Sequence, residues 1–341
     1  MLVLQTTNAH SVLPDALFHL FRTGERRGSR AGDVIVYPEP VTTMYTRPDQ
    51  KVVFWDKRDA NPYFHFMEAL WMLGGRNDVA FVSQFNQRMK KFSDDGKTMH
   101  GAYGNRWRKH FGQDQLETIA RNLKHSPDCR RQILTMWAPD EDLVPREEAA
   151  SKRDLPCNTQ VHFQINSGGC LDMTVSCRSN DVVWGCYGSD SVTFGFLIEY
   201  MAAKIGVPVG RYWQVSDNWH GYVNTVEPLA VLMARMQDED PYRKDGPSDF
   251  PLTPDDDINT FETDLQMFLD EGTGAFGYRA PFIRSVALPI LLSWRAFKDN
   301  EAPRKYDAAR GAMDTCLAWD WQKACMDWID RREAAWRLKQ K

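Results

Sequence analysis

Three segments rich in β-branched and aromatic residues follow one another between residues 132 and 177. They are QILTMWAP (132–139), QVHFQI (160–165) and CLDMTVSC (170–177), and each has the composition of a β-strand. A doubly wound parallel sheet alternates strands with helices, and this chain does not follow that order. The sequence therefore predicts the α+β class, in which strands and helices are mixed without a βαβ rhythm.

Helical patterns lie on either side of these strands. Residues 11–24 predict a short helix, and NPYFHFMEALWMLGG (61–75) has a proline near its start and glycines at its end. The segment VTFGFLIEYMAAKIG (192–206) is also closed by a glycine. Because it is mostly apolar, we expect this third helix to be buried.

A polar, proline-rich connector begins near residue 237. Beyond it, the segment 306–340 has apolar residues at helical spacing, which are Met313, Leu317, Trp321, Cys325 and Trp328. We therefore predict a larger domain over residues 1–240 and a mainly helical extension over residues 241–341 that packs on it.

Composition excludes several classes of protein. The seven cysteines include no CxxC pair, which favours free thiols in a reducing compartment, and no CxxC or HExxH spacing predicts a metal site. The net charge of −4 gives no indication of direct nucleic-acid binding. The N-terminus does not resemble a signal peptide, and the longest apolar run, SVALPILLSW, is too short to span a bilayer. We predict a protein of the cytoplasm, in a bacterium or a virus-infected host cell.

Six short stretches in a fixed order carry the functional information. They are MEALWMLGG, GAYGNRWR, SPDCRRQILTMWAP, LPCN, CRSNDVVWGCYGSD and SDNWHGYVN. Their order and spacing resemble the thymidylate synthase family, and the resemblance runs from about residue 26 to 224. It implies a mixed β-sheet with flanking helices, a homodimer with a shared site, and one-carbon transfer to carbon 5 of a pyrimidine nucleotide.

Cys157, in LPCN, is the candidate nucleophile. Carbon 5 of a pyrimidine is a poor nucleophile, and addition of a thiolate to carbon 6 creates an enamine or enolate in which carbon 5 can attack a one-carbon donor. A cysteine outside such a pattern is more often simply buried. By resemblance, Glu68 organises water and proton transfers around the base, and Tyr103 and Asn158 belong to the same catalytic group.

Arginines suit a nucleotide 5′-phosphate because their planar set of donors matches its oxygens. By resemblance, Arg178 and Ser179 bind the phosphate from one subunit, and Arg130 and Arg131 bind it from the other. A further phosphate contact is expected from Arg30, although a solvated basic loop explains that residue equally well. A surface charge pair is the alternative for the two adjacent arginines.

Two further contacts are implied by the resemblance. His220 and Tyr222 match the family's His-x-Tyr segment and should hold the sugar 3′-hydroxyl, although a packed histidine is the ordinary alternative. Asp181 resembles the aspartate that binds the pterin of 5,10-methylenetetrahydrofolate, the one-carbon donor.

The residue that contacts the base lies in the turn GCYGSDSVTF, where the family has an asparagine. Counting from Gly185 places Ser189 at this position, and counting back from the following helix places Asp190 there. We favour Asp190 because the helix register fixes side-chain direction while turns absorb insertions. An aspartate at a helix N-cap is the ordinary alternative.

A carboxyl group at this position favours cytosine over uracil. Cytosine offers an acceptor at N3 and a donor at N4, whereas uracil offers a donor and an acceptor in the reverse order. We therefore predict dCMP as substrate, with a weak preference for the deoxynucleotide. Two departures from the family pattern, Asn158 in place of histidine and Cys177 in place of glutamine, change the hydrogen bonds around the thiol and the base.

The product depends on whether water or a hydride reaches the methylene group on carbon 5. Water gives 5-hydroxymethyl-dCMP, which we favour because the C-terminal extension replaces the family's short closing tail, and hydride gives 5-methyl-dCMP. Methylation or hydroxymethylation of dUMP is a further alternative within the fold. Outside this class, the chain could be a catalytically silent nucleotide- or RNA-binding relative, or a structural partner in a nucleotide-synthesis complex.

Overall fold

The structure is a computed structural model that describes residues 1–145, 153–235, 240–242, 250–253, 257–271 and 277–340 of the chain. The chain divides into two compact units. The first consists of Met1–Lys51 and Met67–Asp238, and the second consists of Val52–Phe66 and Glu239–Lys341.

Within the described residues, the first unit contains one eight-stranded sheet. Its strands are β1 (Leu2–Thr6), β2 (Glu25–Ser29), β3 (Gly32–Val36), β4 (Val41–Tyr45), β5 (Ile133–Thr135), β6 (Asn158–Ile165), β7 (Leu171–Asp181) and β8 (Val209–Tyr222). The main order is β1-β4-β8-β7-β6-β5, and the β2–β3 hairpin joins β8 through β3. Strands β1 and β4 pair in parallel, as do β7 and β8, and the other pairs are antiparallel. The sheet is therefore mixed, which confirms the predicted α+β class.

The longer helices flank this sheet or form the second unit. They are α1 (Ala9–Thr23), α2 (Pro62–Leu73), α3 (Val79–Phe85), α4 (Gln115–His125), α5 (Asp190–Ile205), α6 (Ile258–Glu271), α7 (Leu288–Asp299), α8 (Arg304–Met313) and α9 (Trp319–Leu338). Short helical segments are Asp56–Arg58, Gln87–Lys91, Tyr103–Asn105, Arg106–His110, Pro139–Asp142, Val182–Ser189, Val223–Val226, Glu227–Arg235 and Ile283–Ala287. Helix α5 contacts both β7 and β8, the two strands at the centre of the sheet.

The helix ends follow local chemistry. Helix α1 begins where the Asn8 side chain accepts a hydrogen bond from the Ser11 amide over 2.9 Å. Helix α5 ends at Gly206, whose φ of 85° lies in the left-handed region that glycine adopts without strain. These caps place the helices close to the predicted segments 11–24 and 192–206.

Two predicted strands have different lengths in the structure. The segment 132–139 contains only the three residues of β5, because the amides of Met136 and Trp137 both bond to the Thr159 carbonyl at 2.8 and 3.2 Å. The helical segment beginning at Pro139 then ends any extended run. Strand β7 is instead longer than predicted, since it continues in parallel pairing with β8 as far as Asp181.

The second unit is held together by aromatic side chains. Phe54 packs against Tyr242, Tyr63 against Trp294, and Phe66 is stacked on Phe282 at 5.9 Å between ring centroids. These contacts explain why residues 52–66 belong to this unit, whereas the sequence analysis placed them in the larger domain. The predicted boundary near residue 240 did not include this segment.

The predicted helical segment 306–340 contains two helices rather than one. Helix α8 ends at Met313, and the Leu317 amide bonds to the Ser285 carbonyl before α9 begins. Of the predicted apolar positions, Met313, Trp321, Cys325 and Trp328 are buried, while Leu317 is exposed because it lies in the break. Across the described segments, no helix is both long enough and apolar enough to cross a membrane.

Candidate active site

The strand pairing brings three of the sequence motifs to one part of the sheet. Cys157 comes directly before β6, and its carbonyl accepts a hydrogen bond from the Arg178 amide over 2.9 Å. The parallel pairing of β7 with β8 then sets Ser179 opposite Asn218 and Asp181 opposite His220. The candidate nucleophile, phosphate, folate and sugar residues therefore lie at neighbouring strand ends.

Tyr103 fixes the backbone at Cys157, the candidate nucleophile. Its hydroxyl oxygen accepts hydrogen bonds from the amides of Cys157 and Asn158 at 3.3 and 3.2 Å, and from Asn158 Nδ2 at 3.1 Å. Burial raises the pKa of the Cys157 thiol, while the Arg178 guanidinium acts in the opposite direction. The thiol is thus held in the neutral form at rest, beside the cation that can stabilise its thiolate.

Arg178 also supports the segment that carries Cys157. Its guanidinium donates to the carbonyl oxygens of Pro156 at 2.9 Å and Leu155 at 3.3 Å, and it lies over the Trp137 ring. The side chain is nevertheless exposed, so it keeps donors directed to solvent or to an anion. The same residue can contact a phosphate and position Cys157.

Glu68 is buried within helix α2, where it accepts a hydrogen bond from the Ser189 hydroxyl. Burial raises the pKa of the Glu68 carboxyl to about 7, and the nearby carboxyls of Asp190 and Asp154 act in the same direction. A carboxyl group with such a pKa can both accept and release a proton near neutral pH.

We expect the Glu68→Gln substitution to flatten the pH dependence of stability. Between the ordinary glutamate value of 4.5 and about 7, the folded protein holds a proton that the unfolded chain has released. The free energy of unfolding therefore falls as pH rises through this range, by on the order of 2–3 kcal/mol. Urea unfolding at several pH values would measure this slope.

The matched control is Glu25→Gln, because Glu25 is an exposed glutamate on strand β2. It should leave the slope as in the parent protein. An unchanged slope in Glu68→Gln would show that the Glu68 carboxyl does not keep its proton in the folded state.

Asp190 lies in the first turn of helix α5 and is 7% exposed. Its Oδ1 accepts a hydrogen bond from Asn158 Nδ2 over 3.0 Å. Burial raises the pKa of the Asp190 carboxyl to about 6, although hydrogen bonds from Asn158 and Asn180 oppose this effect. The two alternatives for the base contact thus have different partners, since Ser189 bonds to Glu68 and Asp190 bonds to Asn158.

The predicted sugar residues and one predicted phosphate residue, Arg30, lie near the β2–β3 turn. Tyr222 is in ring contact with His220 at 5.7 Å, and the charge of Arg30 and the Ser29 hydroxyl both act on the Tyr222 pKa, which burial raises. Arg30 is exposed at this turn. The turn is therefore next to the predicted sugar contact, as the assignment of Arg30 to the phosphate requires.

Arg130 and Arg131 are exposed and precede β5, the strand at one end of the sheet order. The resemblance assigns them to the site of a partner subunit. The contribution of these two arginines to a partner subunit's site therefore stays a prediction.

Asp181 has the features expected of a folate contact. Its Oδ1 accepts from the amides of Val183 and Trp184 at 2.8 and 2.5 Å, which fixes the carboxyl at the start of a helical segment. Its Oδ2 is buried and has no hydrogen-bond partner among the described residues. The Tyr222 amide also acts on this carboxyl. The Trp184 side chain, in the helical segment that follows Asp181, is half exposed. A buried carboxyl next to an exposed indole is an arrangement that would suit a flat pterin that carries N–H groups.

Three residues that the sequence analysis did not select also belong to the site. Asn180 acts on the Asp190 carboxyl, Gln214 Nε2 donates to Asn158 Oδ1 over 2.9 Å, and Asp154 accepts from the Gly101 amide over 2.9 Å near Cys157. Polar residues at the inward positions of the β8 pattern YWQVSDNW could have indicated Gln214. In the described part of the chain, no group of three His, Cys, Asp or Glu side chains could hold a metal ion.

Comparison with known proteins decides the family. The sequence profile described as thymidylate synthase matches residues 15–262, which is most of the chain. The protein belongs to the thymidylate synthase family. This confirms the resemblance found in the sequence motifs.

Among curated members of the family, a deoxyuridylate hydroxymethyltransferase of Pseudomonas phage M6 is 48% identical over 346 residues, covering 99% of this chain and 97% of the relative. A deoxyuridylate hydroxymethyltransferase of Bacillus phage SP01 is 33% identical over 208 residues, covering 58% of this chain and 52% of the relative. The structure is similar to that of thymidylate synthase from T4 phage, with a TM-score of 0.52 and 20% identity over 66% of this chain and 81% of the other. The fold is therefore that of thymidylate synthase.

Membership in the thymidylate synthase family establishes the general reaction. The protein is a transferase of one-carbon groups that acts at carbon 5 of a pyrimidine nucleotide, with 5,10-methylenetetrahydrofolate as donor. Which base it accepts and which product it releases depend on individual side chains.

Proposed function

We propose that this enzyme transfers a hydroxymethyl group to carbon 5 of dCMP, giving 5-hydroxymethyl-dCMP. The observation that carries the choice of base is the carboxyl group of Asp190, which is buried beside the nucleophile segment and has a pKa raised by burial to about 6. Because this pKa is close to neutral pH, a small change in the surroundings of the Asp190 carboxyl decides whether it is protonated or ionised.

Either form of this carboxyl suits cytosine. The neutral acid can donate to N3, and the carboxylate can accept from a protonated N3, which also makes carbon 6 more electrophilic. Uracil would instead place its O4 acceptor against carboxyl oxygens. A buried mismatch of this kind costs on the order of 1–3 kcal/mol for each unpaired group.

The side chains around the base divide the chemistry between them. Cys157 Sγ forms a bond to carbon 6, and the electron pair of the C5=C6 bond moves so that carbon 5 can attack. The folate supplies the one-carbon unit at this point. The proton on carbon 5 must then leave before the thiolate is expelled and the C5=C6 bond returns. Glu68, with a pKa of about 7, can hold and pass on this proton, and Tyr103 holds the nucleophile in place meanwhile.

Hydroxymethylation is supported over methylation by the relatives. The Pseudomonas phage M6 protein, similar over nearly the whole chain, is described as a hydroxymethyltransferase. In this outcome, water adds to the methylene group on carbon 5 and becomes the hydroxyl of the product. Glu68 and its partner Ser189 are the side chains that would orient this water.

A second candidate substrate is dUMP. The M6 and SP01 relatives are both described as deoxyuridylate hydroxymethyltransferases, and the alignment with the first of them covers 99% of this chain. This observation favours uracil, whereas the carboxyl of Asp190 favours cytosine.

We also propose a homodimer in which Arg130 and Arg131 of one subunit join Arg178 and Ser179 of the other around the 5′-phosphate. The exposure of both arginines on the segment before β5 supports this arrangement. The remaining assignments, of Arg30 to the phosphate, of His220 and Tyr222 to the sugar and of the protein to the cytosol, are part of the same proposal.

One experiment tests substrate and product together. The enzyme is incubated with 5,10-methylenetetrahydrofolate and with dCMP or dUMP, and the nucleotide products are weighed by mass spectrometry. We expect the mass of 5-hydroxymethyl-dCMP and no rise in dihydrofolate absorbance, because only the methyl-forming reaction oxidises the folate. Much faster processing of dUMP would overturn the choice of base, and a 5-methyl product would overturn the choice of reaction.

A further inference from the structure

A chain of four buried polar side chains runs from strand β8 to Asp190. The Tyr212 hydroxyl donates to Gln214 Oε1, and Gln214 Nε2 donates to Asn158 Oδ1 over 2.9 Å. Asn158 Nδ2 then donates to Asp190 Oδ1 over 3.0 Å. Tyr212, Gln214 and Asn158 are at most 1% exposed, so solvent cannot replace these partners.

The two amides give this chain a direction. Each amide has a donor end and an acceptor end, so turning Asn158 alone would set its Oδ1 against the carboxyl of Asp190 and its Nδ2 against the donor on Gln214. The first contact would then place two acceptors together unless a protonated Asp190 donated a hydrogen bond to Asn158. The second contact would place two donors together unless Gln214 turned as well. An unpaired polar group in such a buried place is costly. Gln214 therefore holds Asn158 with its donor directed at Asp190.

The position of this donor decides what Asp190 can present to a base. Asn158 donates to Oδ1 and Asn180 also donates to this carboxyl, so the acidic proton of a neutral Asp190 is favoured on Oδ2, where it can donate to N3 of cytosine. With Asn158 turned around, the Asp190 proton would instead be donated to Asn158 Oδ1. Asp190 would then present an acceptor, which suits the N3–H of uracil.

We propose that Gln214 is a specificity-determining residue, which acts through Asn158 to set the hydrogen-bonding state of Asp190. This inference rests on the proposed contact between Asp190 and the base. Gln214 is a positioning residue, because it contacts Asn158 and not the substrate. Tyr212 supports it from the other side, and the Tyr212 ring is itself stacked on Tyr45 with centroids 5.1 Å apart.

The test is the ratio of kcat/KM for dCMP to kcat/KM for dUMP in the Gln214→Met variant. Methionine keeps a similar volume and removes the donor to Asn158 Oδ1, so the orientation of Asn158 is then held only by its contacts with Tyr103 and Asp190. We expect the ratio to fall about 10-fold, the value for loss of one discriminating hydrogen bond. A role in packing alone would lower both values of kcat/KM together and leave the ratio unchanged, which would overturn the inference.

A second variant and a matched control make the result interpretable. Tyr212→Phe removes a single hydroxyl and should lower the ratio in the same direction by a smaller factor, even if Gln214→Met does not fold. Gln115→Met is the control, because Gln115 is a buried glutamine whose amide bonds to the carbonyls of Arg106 and Thr135 instead. An unchanged ratio in folded Tyr212→Phe and in Gln214→Met would contradict the proposal.

Failure of this inference is separable from failure of the proposed function. The preference of the unmodified enzyme tests the choice of dCMP, and the effect of Asp190→Asn tests whether Asp190 contacts the base. If Asp190→Asn changes the ratio and Gln214→Met does not, only the role of Gln214 is wrong.

Discussion

The Cys157→Ala variant is expected to lose turnover by about 10⁴-fold or more, because no other group can form the bond to carbon 6. Binding of the nucleotide should change little, since the proposed phosphate and sugar contacts come from Arg178, His220 and Tyr222. Product formation by mass spectrometry and nucleotide binding by calorimetry would measure the two effects separately. Retained turnover would show that Cys157 is not the nucleophile. If the unmodified protein bound nucleotide without turning it over, it would be a silent relative.

Cys129 provides the control for this experiment. Hydrogen bonds from the Arg131 amide and from Gln132 lower the pKa of the Cys129 thiol, whereas burial raises that of Cys157. If the nucleophile were chosen by the thiolate fraction in the free protein, Cys129 would be selected instead of Cys157. We expect Cys129→Ala to keep its turnover, since Cys129 takes no part in the proposed reaction. Comparing turnover in the two variants tests whether the position of a cysteine beside Arg178 matters more than a low thiol pKa in the free protein.

The Asp190→Asn variant is expected to change the preferred base. The amide oxygen can accept both the hydrogen bond from Asn158 and that from N3–H of uracil while the amide nitrogen donates to O4, whereas cytosine places its N3 acceptor and N4 donor against these same groups. With mismatches at two positions of the base, the ratio of kcat/KM for dCMP to that for dUMP should fall by about 10²-fold or more. Competition between the two nucleotides in one reaction, followed by mass spectrometry, measures this ratio directly.

Ser189→Ala is the control that separates the two candidates for the base contact. Its hydroxyl bonds to Glu68, so its loss should affect both nucleotides in a similar way. A ratio that changes in Ser189→Ala but not in Asp190→Asn would assign base recognition to Ser189. If the parent enzyme prefers dUMP and Asp190→Asn strengthens that preference, Asp190 contacts the base but the proposed substrate is wrong.

The family, the fold class and the folate donor could be predicted from the sequence because the evidence for them lies in ordered motifs. LPCN, RSND and the His-x-Tyr segment each have a local pattern, and strand pairing brings these segments together around Cys157. The individual site roles stay predictions, and the choice of dCMP is one of them. The fold adds that the Asp181 carboxyl is buried and fixed by the amides of Val183 and Trp184, which no sequence pattern could reveal.

Other features depend on pairings that sequence does not show. Gln214 and Tyr212 were missed because a polar residue in a strand indicates a site only when its partner on another strand is known. Strand β5 is shorter than its composition suggests, since two successive amides bond to one carbonyl of β6. Residues 52–66 belong to the second unit through aromatic contacts with residues far along the chain, which local composition does not indicate.

The arrangement of β6, β7 and β8 also affects the order in which the site can form as the chain folds. Strands β6 and β7 are joined by a short turn, so their antiparallel pairing has a small loop-closure cost and can bring Cys157 beside Arg178 early. The parallel pairing of β7 with β8 requires helix α5 to cross between them first. Asp181 and His220 therefore meet only after this crossover has docked. Cys157 and Arg178 form a local unit, whereas the proposed sugar and folate contacts depend on non-local folding of the whole sheet.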